Sequence, residues 1–106
     1  MITTLDGVAY SVSAEAQDDL FEIWERIADD SVRLANRIDD EFHELFASLG
    51  RMPGQGHART DLIRRPVLFF PLYSFLVVDQ HAVRPVRIMA VLRGKRNLKR
   101  ILKERL

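Results

Sequence analysis

The hydrophobic period of the sequence changes once, and this change constrains the fold more than any other feature. From residue 14 to residue 50, apolar side chains recur every three or four positions, as they do along one face of an α-helix. From residue 63 to residue 92, short runs of β-branched and aromatic residues replace that pattern. Helices followed by strands in this way predict an α+β fold.

The helical part divides into two stripes of apolar residues, at residues 16–27 and 35–49. Ser13 has the side chain and the position of an N-cap, and the polar residues 29–31 separate the stripes. Gly50 is expected to end the second helix as its C′ residue. Because the connection is so short, we expect an antiparallel α-hairpin.

The back half predicts three antiparallel strands, followed by a short basic helix that Asn97 caps. Turns are expected around Pro71 and at residues 81–85. A short N-terminal strand before the first helix would complete a four-stranded sheet. The predicted strands are residues 8–12, 63–69, 74–79 and 86–92.

The length of 106 residues leaves room for one domain, which we expect to span residues 1–106, with residues 1–7 as a flexible segment. The absence of cysteine excludes disulfides and thiolate zinc sites. No signal peptide and no membrane-spanning run are recognisable, which predicts a cytoplasmic protein that does not bind membranes. The three histidines lack metal-ligand spacing, so neither a metal nor another cofactor is expected, and His43 is interpreted as a solvated side chain.

The charges are divided between the two halves of the chain. Residues 1–50 contain 12 Asp/Glu and 3 Lys/Arg, whereas residues 51–106 contain 3 Asp/Glu and 13 Lys/Arg. Seven of those 13 cations lie between residues 93 and 105. Such a division indicates either two faces for unlike partners or two halves that attract each other across one fold, and the sequence leaves both open.

Four short motifs, spread from the first predicted helix to the last predicted strand, carry a second kind of signal. They are Ser13-Ala14-Glu15-Ala16, Ala35-Asn36-Arg37-Ile38, Met52-Pro53 and Val91-Leu92-Arg93-Gly94-Lys95-Arg96-Asn97. Their order and spacing resemble the ParE/RelE superfamily, the toxins of bacterial type II toxin–antitoxin modules, over residues 8–98. The resemblance implies a toxin with a ParD-like or similar antitoxin as its partner, and a hetero-oligomer of the two.

The branch of the superfamily decides the target. RelE-like members cleave messenger RNA on the ribosome, which requires a base and an acid beside cations. No Tyr or His follows His81, and arginine stays protonated, so the proton shuttle is missing. The ParE-like branch, whose members inhibit DNA gyrase by binding without catalysis, therefore fits better. If the chain were an RNase, the cations of its site would be Arg64, Arg65, Arg93, Lys95 and Arg96.

Two further alternatives concern activity and contacts. The superfamily usually has Tyr, His and an acidic residue where Val78, Arg93 and Asn97 stand, which leaves open a non-toxic interaction domain. For a toxin, the basic end of the chain is the expected target-binding surface, and exposed apolar residues are the expected antitoxin-binding surface. The predicted target-binding residues are Arg93, Lys95, Arg96, Lys99 and Arg100. The predicted antitoxin-binding residues are Phe21, Trp24, Ile27, Phe70, Leu72 and Tyr73.

Overall fold

The fold combines an α-hairpin, a mixed sheet and a C-terminal helix, which confirms the α+β class. The computed structural model describes residues 2–5, 7–94 and 96–106. The elements in chain order are β1 (Ile2–Leu5), β2 (Val8–Val12), α1 (Ala14–Ala28), α2 (Val32–Arg51), β3 (Leu68–Leu72), β4 (Phe75–Gln80), β5 (Arg87–Arg93) and α3 (Leu98–Arg105).

Serine caps begin both helices of the hairpin. The hydroxyl of Ser13 accepts a hydrogen bond from the Ala16 amide at 3.1 Å, and the hydroxyl of Ser31 accepts one from Leu34 at 3.1 Å. The side chain of Asn97 caps α3 in the same way. These caps are local interactions, and the sequence predicted two of them, at Ser13 and Asn97, correctly.

The predicted end of α2 at Gly50 is wrong, because the helix continues through Gly50 to Arg51. Gly50 serves close packing instead. A Cβ at this position would lie 2.9 Å from the Ala9 carbonyl oxygen and 3.2 Å from Val8 Cγ1. Glycine therefore lets the last turn of α2 approach the backbone of β2.

The sheet has five strands in the order β1-β2-β5-β4-β3, so the predicted number of four is wrong. The additional strand is β1, which forms an antiparallel hairpin with β2. The run β3-β4-β5 is antiparallel as predicted, whereas β2 and β5 pair in parallel, through Ser11 with Arg87 and Val12 with Ile88. The β1-β2 hairpin and the β3-β4-β5 run thus join through the short parallel contact between β2 and β5.

The strand predicted at residues 63–69 begins later, at Leu68. The preceding residues form a turn in which the amides of Leu62 and Ile63 both donate to the Arg59 carbonyl. Pro71 lies inside β3 and not in a turn, which is tolerated because β3 is an edge strand. The turn follows at Tyr73, whose φ of 55° is left-handed.

The sheet separates two hydrophobic cores. The hairpin-side core lies under α1 and α2, and the tail-side core lies under α3. The larger hairpin-side residues are Tyr10, Val12, Leu20, Phe42, Phe46, Leu49, Val77, Val86, Ile88 and Val91. The tail-side residues are Val67, Phe69, Val78, Ala90, Leu92, Leu98 and Leu102.

A β-bulge changes which residues at the end of β5 point to each side of the sheet. The register between β4 and β5 shifts after Val78, where Ala90 pairs with Val78 but Ile88 pairs with Asp79. Strict alternation from Ile88 would place Ala90 in the hairpin-side core, yet Ala90 lies in the tail-side core and Val91 in the hairpin-side core. The bulge therefore turns the odd-numbered residues at the end of β5 towards α1.

Candidate functional sites

A buried carboxylate joins the acidic and the basic halves of the chain. Asp19 of α1 is 7% exposed, and its Oδ2 accepts a hydrogen bond from the Val91 amide at 2.9 Å. The guanidinium of Arg105 donates to both carboxylate oxygens, at 2.6 and 2.8 Å. The hydrogen bond to Asp19 raises the pKa of Arg105 further above its usual value. We call this three-way contact the Asp19 clamp.

The clamp lies along the part of β5 that β2 no longer covers. β2 pairs with β5 only as far as Ile88, and Asp19 accepts the amide of Val91 beyond that point. The sequence did not predict this pair, whose partners lie 86 positions apart. The available signal was the position of an acidic residue beside the apolar stripe of α1, between Ala16 and Ile23. At the clamp, the two halves of the chain do attract each other across the fold.

A mixed groove extends from the clamp between α1 and the ends of β4 and β5. It encloses 190 Å³ and brings together two of the predicted target-binding residues, Arg93 and Arg96, with two carboxylates of α1. Ile27, predicted to bind the antitoxin, lines this groove as well. The lining residues are Asp19, Glu22, Ile23, Arg26, Ile27, Phe75, Val91, Arg93 and Arg96.

An aromatic groove lies on another side of α1. Phe21 is 61% exposed there, and the half-buried Trp24 donates its indole N–H to the side chain of Asn36 at 2.9 Å. This hydrogen bond fixes the indole against α2. The lining residues are Thr3, Val12, Gln17, Leu20, Phe21, Trp24, Asp39 and His43.

The interpretation of His43 as a solvated side chain is wrong. The buried Tyr10 hydroxyl and His43 Nδ1 are 2.5 Å apart, and His43 Nε2 lies 3.8 Å from Asp39. Burial raises the pKa of Tyr10 to about 12, and the charge of Asp39 adds to this effect. The tyrosine thus remains a neutral partner of His43, which lines the aromatic groove.

The remaining predicted antitoxin residues lie elsewhere. Phe70 and Leu72 are half-buried in β3 and pack against the hairpin-side core. Tyr73 is 61% exposed in the β3–β4 turn, and its hydroxyl donates to Glu41 of α2 at 2.5 Å. The structure therefore does not bring the six predicted residues into one surface, and only Phe21 and Trp24 share a groove.

A basic groove on the tail side contains four cations from two segments. Arg64 and Arg65 precede β3, and Lys99 and Lys103 lie on α3. Leu62, Ile63 and Leu106 form its apolar lining.

The predicted target-binding residues are thus divided among several places. Lys99 lies in the basic groove, away from the mixed groove of Arg93 and Arg96, and Arg100 pairs with Glu104 at 3.5 Å on the exposed side of α3. Lys95 lies outside the described residues. The cations named for an RNase divide in the same way, because Arg64 and Arg65 line the basic groove.

Comparison with known protein families identifies a family for this fold. A model of the ParE toxin of the type II toxin–antitoxin system parDE matches residues 10–98, from β2 to the start of α3. The chain belongs to this family, within the ParE/RelE superfamily of type II toxins. Membership implies an antitoxin partner. The search of curated proteins found no match to the chain.

Two searches of the described residues bear on other classes of site. No group of three or more metal-binding side chains occurs among residues 2–5, 7–94 and 96–106. Within the same residues, no helix combines the length and the apolar character that crossing a membrane requires.

Proposed function

We propose that this toxin inhibits DNA gyrase in the cytoplasm by binding it, without catalysing a reaction, and that a cognate antitoxin neutralises it. The family match carries the proposal, because it assigns the chain to the ParE toxins. The composition of the mixed groove supports it. Arg93 and Arg96 lie there beside carboxylates and apolar side chains, a combination suited to a protein surface that is itself mixed.

The positions of the histidines and tyrosines favour binding over RNA cleavage. Cleavage of a ribose phosphate needs a base and an acid within hydrogen-bond reach of the reacting atoms. His43 is engaged with Tyr10, and Tyr73 with Glu41. His57 is exposed and bridges Phe69 through its backbone only, and its imidazole lies outside the mixed and basic grooves. Among the described lining residues of the mixed and basic grooves there is neither a His nor a Tyr.

For the antitoxin, the aromatic groove is the proposed binding surface. Exposed Phe21 and the ordered indole of Trp24 are the side-chain types that dominate protein interfaces. The groove follows α1 from Gln17 to Trp24, about two helical turns, and would receive one face of an amphipathic helix whose apolar residues pack on these rings. Asp39 at the rim would face a basic residue of that helix.

The gyrase proposal predicts a specific response to substitution in a supercoiling assay. The purified protein should block supercoiling by gyrase, and Arg96→Ala should weaken the block by roughly tenfold to a hundredfold, because a charged hydrogen bond contributes about 1.5–3 kcal/mol. Arg33→Ala removes an arginine of α2 that is also exposed and is the matched control. Supercoiling that proceeds normally at high protein concentration, with the fold verified by circular dichroism, would refute the proposal.

A further inference from the structure

The basic groove contains four positive charges, and no acidic side chain is among its described lining residues. Lys99 and Lys103 are one helical turn apart on α3, an arrangement of equal charges that disfavours the helix. Arg64 and Arg65, adjacent in sequence, line the same groove together with Leu62 and Ile63. None of these four cations forms a salt bridge with any residue that the structure describes.

The neighbouring cations, in contrast, are each paired with an acidic side chain. Arg59 forms a double hydrogen bond to Asp61, Arg100 pairs with Glu104, and Arg105 belongs to the Asp19 clamp. The hydrogen bond from Arg59 lowers the pKa of Asp61, and the positive charge of Lys99 adds to that effect. Asp61, on which the charge of Lys99 acts, is thus already engaged by Arg59, and the four cations of the groove remain available to an external anion.

The tail-side core holds both sides of the groove in place. On the α3 side, Leu98 and Leu102 are buried in that core, and on the side of the turn before β3, Leu62 and Ile63 pack against it. The amides of Leu62 and Ile63 also donate to the Arg59 carbonyl, which fixes the turn that carries Arg64 and Arg65. Because the side chains extend from anchored segments, a ligand would not need to order the backbone on binding.

From this arrangement we propose that the basic groove binds the phosphate backbone of duplex DNA, independently of gyrase. Each strand of duplex DNA carries one negative charge per about 3.4 Å of the helix axis, so two cations about 6 Å apart along α3 can each lie near a different phosphate. Among the described lining residues the apolar ones are aliphatic and none has an aromatic ring on which an unpaired base would stack, which favours a duplex over a single strand. Contacts of this kind fix the protein on DNA without reading its sequence.

The depression next to the groove extends the surface on which Arg64 and Arg65 lie. It shares Ile63, Arg64 and Arg65 with the basic groove and continues to Ala58 and Pro66. The surface therefore runs from α3 along the whole turn before β3. Such a track suits an extended polyanion better than a single phosphate.

The test is fluorescence anisotropy of a labelled 20-base-pair duplex with the full-length protein, titrated at several salt concentrations without gyrase. Four phosphate contacts predict a slope of log K against log salt of about −3.6, hence a roughly 150-fold loss of affinity between 50 and 200 mM salt. Arg64→Ala/Arg65→Ala and Lys99→Ala/Lys103→Ala should each reduce the slope to about −1.8 and that loss to roughly 12-fold. The control Arg33→Ala/Arg51→Ala removes two exposed arginines of α2 and should leave the slope unchanged.

Several results would overturn the proposal. The first is no binding at 50 mM salt, and the second is binding that the control variant weakens as much as the groove variants do. Tighter binding of a single strand of equal length would exclude the duplex as the ligand. Displacement of the duplex by poly-glutamate of equal charge at equal concentration would assign the groove to acidic protein segments. Because gyrase is absent, failure here leaves the supercoiling result unaffected.

Discussion

Removing the Arg105 guanidinium from the Asp19 clamp should destabilise the protein more than the substitution of any exposed charge. In Arg105→Gln, the carboxylate of Asp19 keeps the Val91 amide but loses both guanidinium hydrogen bonds while only 8% of its side chain is exposed. Breaking a buried ion pair by removing one partner costs about 3–5 kcal/mol. The Arg105 side chain is 22% exposed, so we expect about 3 kcal/mol, a large part of the about 5–15 kcal/mol typical of a domain.

The assay is a double-mutant cycle by urea denaturation, followed by the fluorescence of Trp24, the single tryptophan of the chain. Asp19→Asn and Arg105→Gln together should cost less than the sum of the single variants by about 2 kcal/mol. Arg100→Gln, which removes the exposed pair with Glu104, is the control and should change stability by less than about 1 kcal/mol. Additive single variants, or a loss at Arg105 no larger than at Arg100, would refute the clamp as a stabilising ion pair.

Two further predictions concern the core and the antitoxin surface. Burial raises the pKa of Asp79 to about 6 from 3.8, so its neutral form favours the folded state, and this contribution is lost as the pH rises from about 4 to about 6. Urea denaturation should therefore show Asp79→Asn gaining up to about 3 kcal/mol over the native protein between pH 4 and pH 7.5, and a pH-independent difference would contradict this. In calorimetry with the cognate antitoxin, Phe21→Ala should weaken binding about tenfold to a hundredfold, because truncation of an interface aromatic costs about 1.4–2.8 kcal/mol. The control Val32→Ala alters a side chain that is 53% exposed and should bind normally, and equal effects of the two variants would exclude the aromatic groove.

What the sequence predicted correctly depends on neighbouring residues. The cap at Ser13 satisfies an amide three positions away, and the stripes of the two helices repeat within each helix. The strand β1 was missed because four residues are too few for a periodic pattern, although the dipeptide Asp6-Gly7 beside it is a known hairpin signal. Gly50 was misassigned because its role depends on the distant backbone of Ala9.

The candidate sites were less predictable because they depend on which side of the sheet a residue faces. The bulge after Val78 directs the end of β5 towards α1, and no residue type in the sequence marks it. As a result Arg93 faces Asp19 and Glu22, while Lys99, six positions later, joins Arg64 on the opposite side. Counting cations along the chain located the basic region but not its division into two grooves.

The most direct test of the account compares the two possible targets with one protein preparation. The toxin is added to gyrase with relaxed plasmid and, in parallel, to ribosomes translating a labelled messenger RNA, each with and without the cognate antitoxin. The account predicts that supercoiling stops, that the antitoxin restores it, and that the messenger stays intact. Intact supercoiling together with messenger cleavage that Arg93→Ala abolishes would contradict it and would place the chain among the ribosome-dependent nucleases.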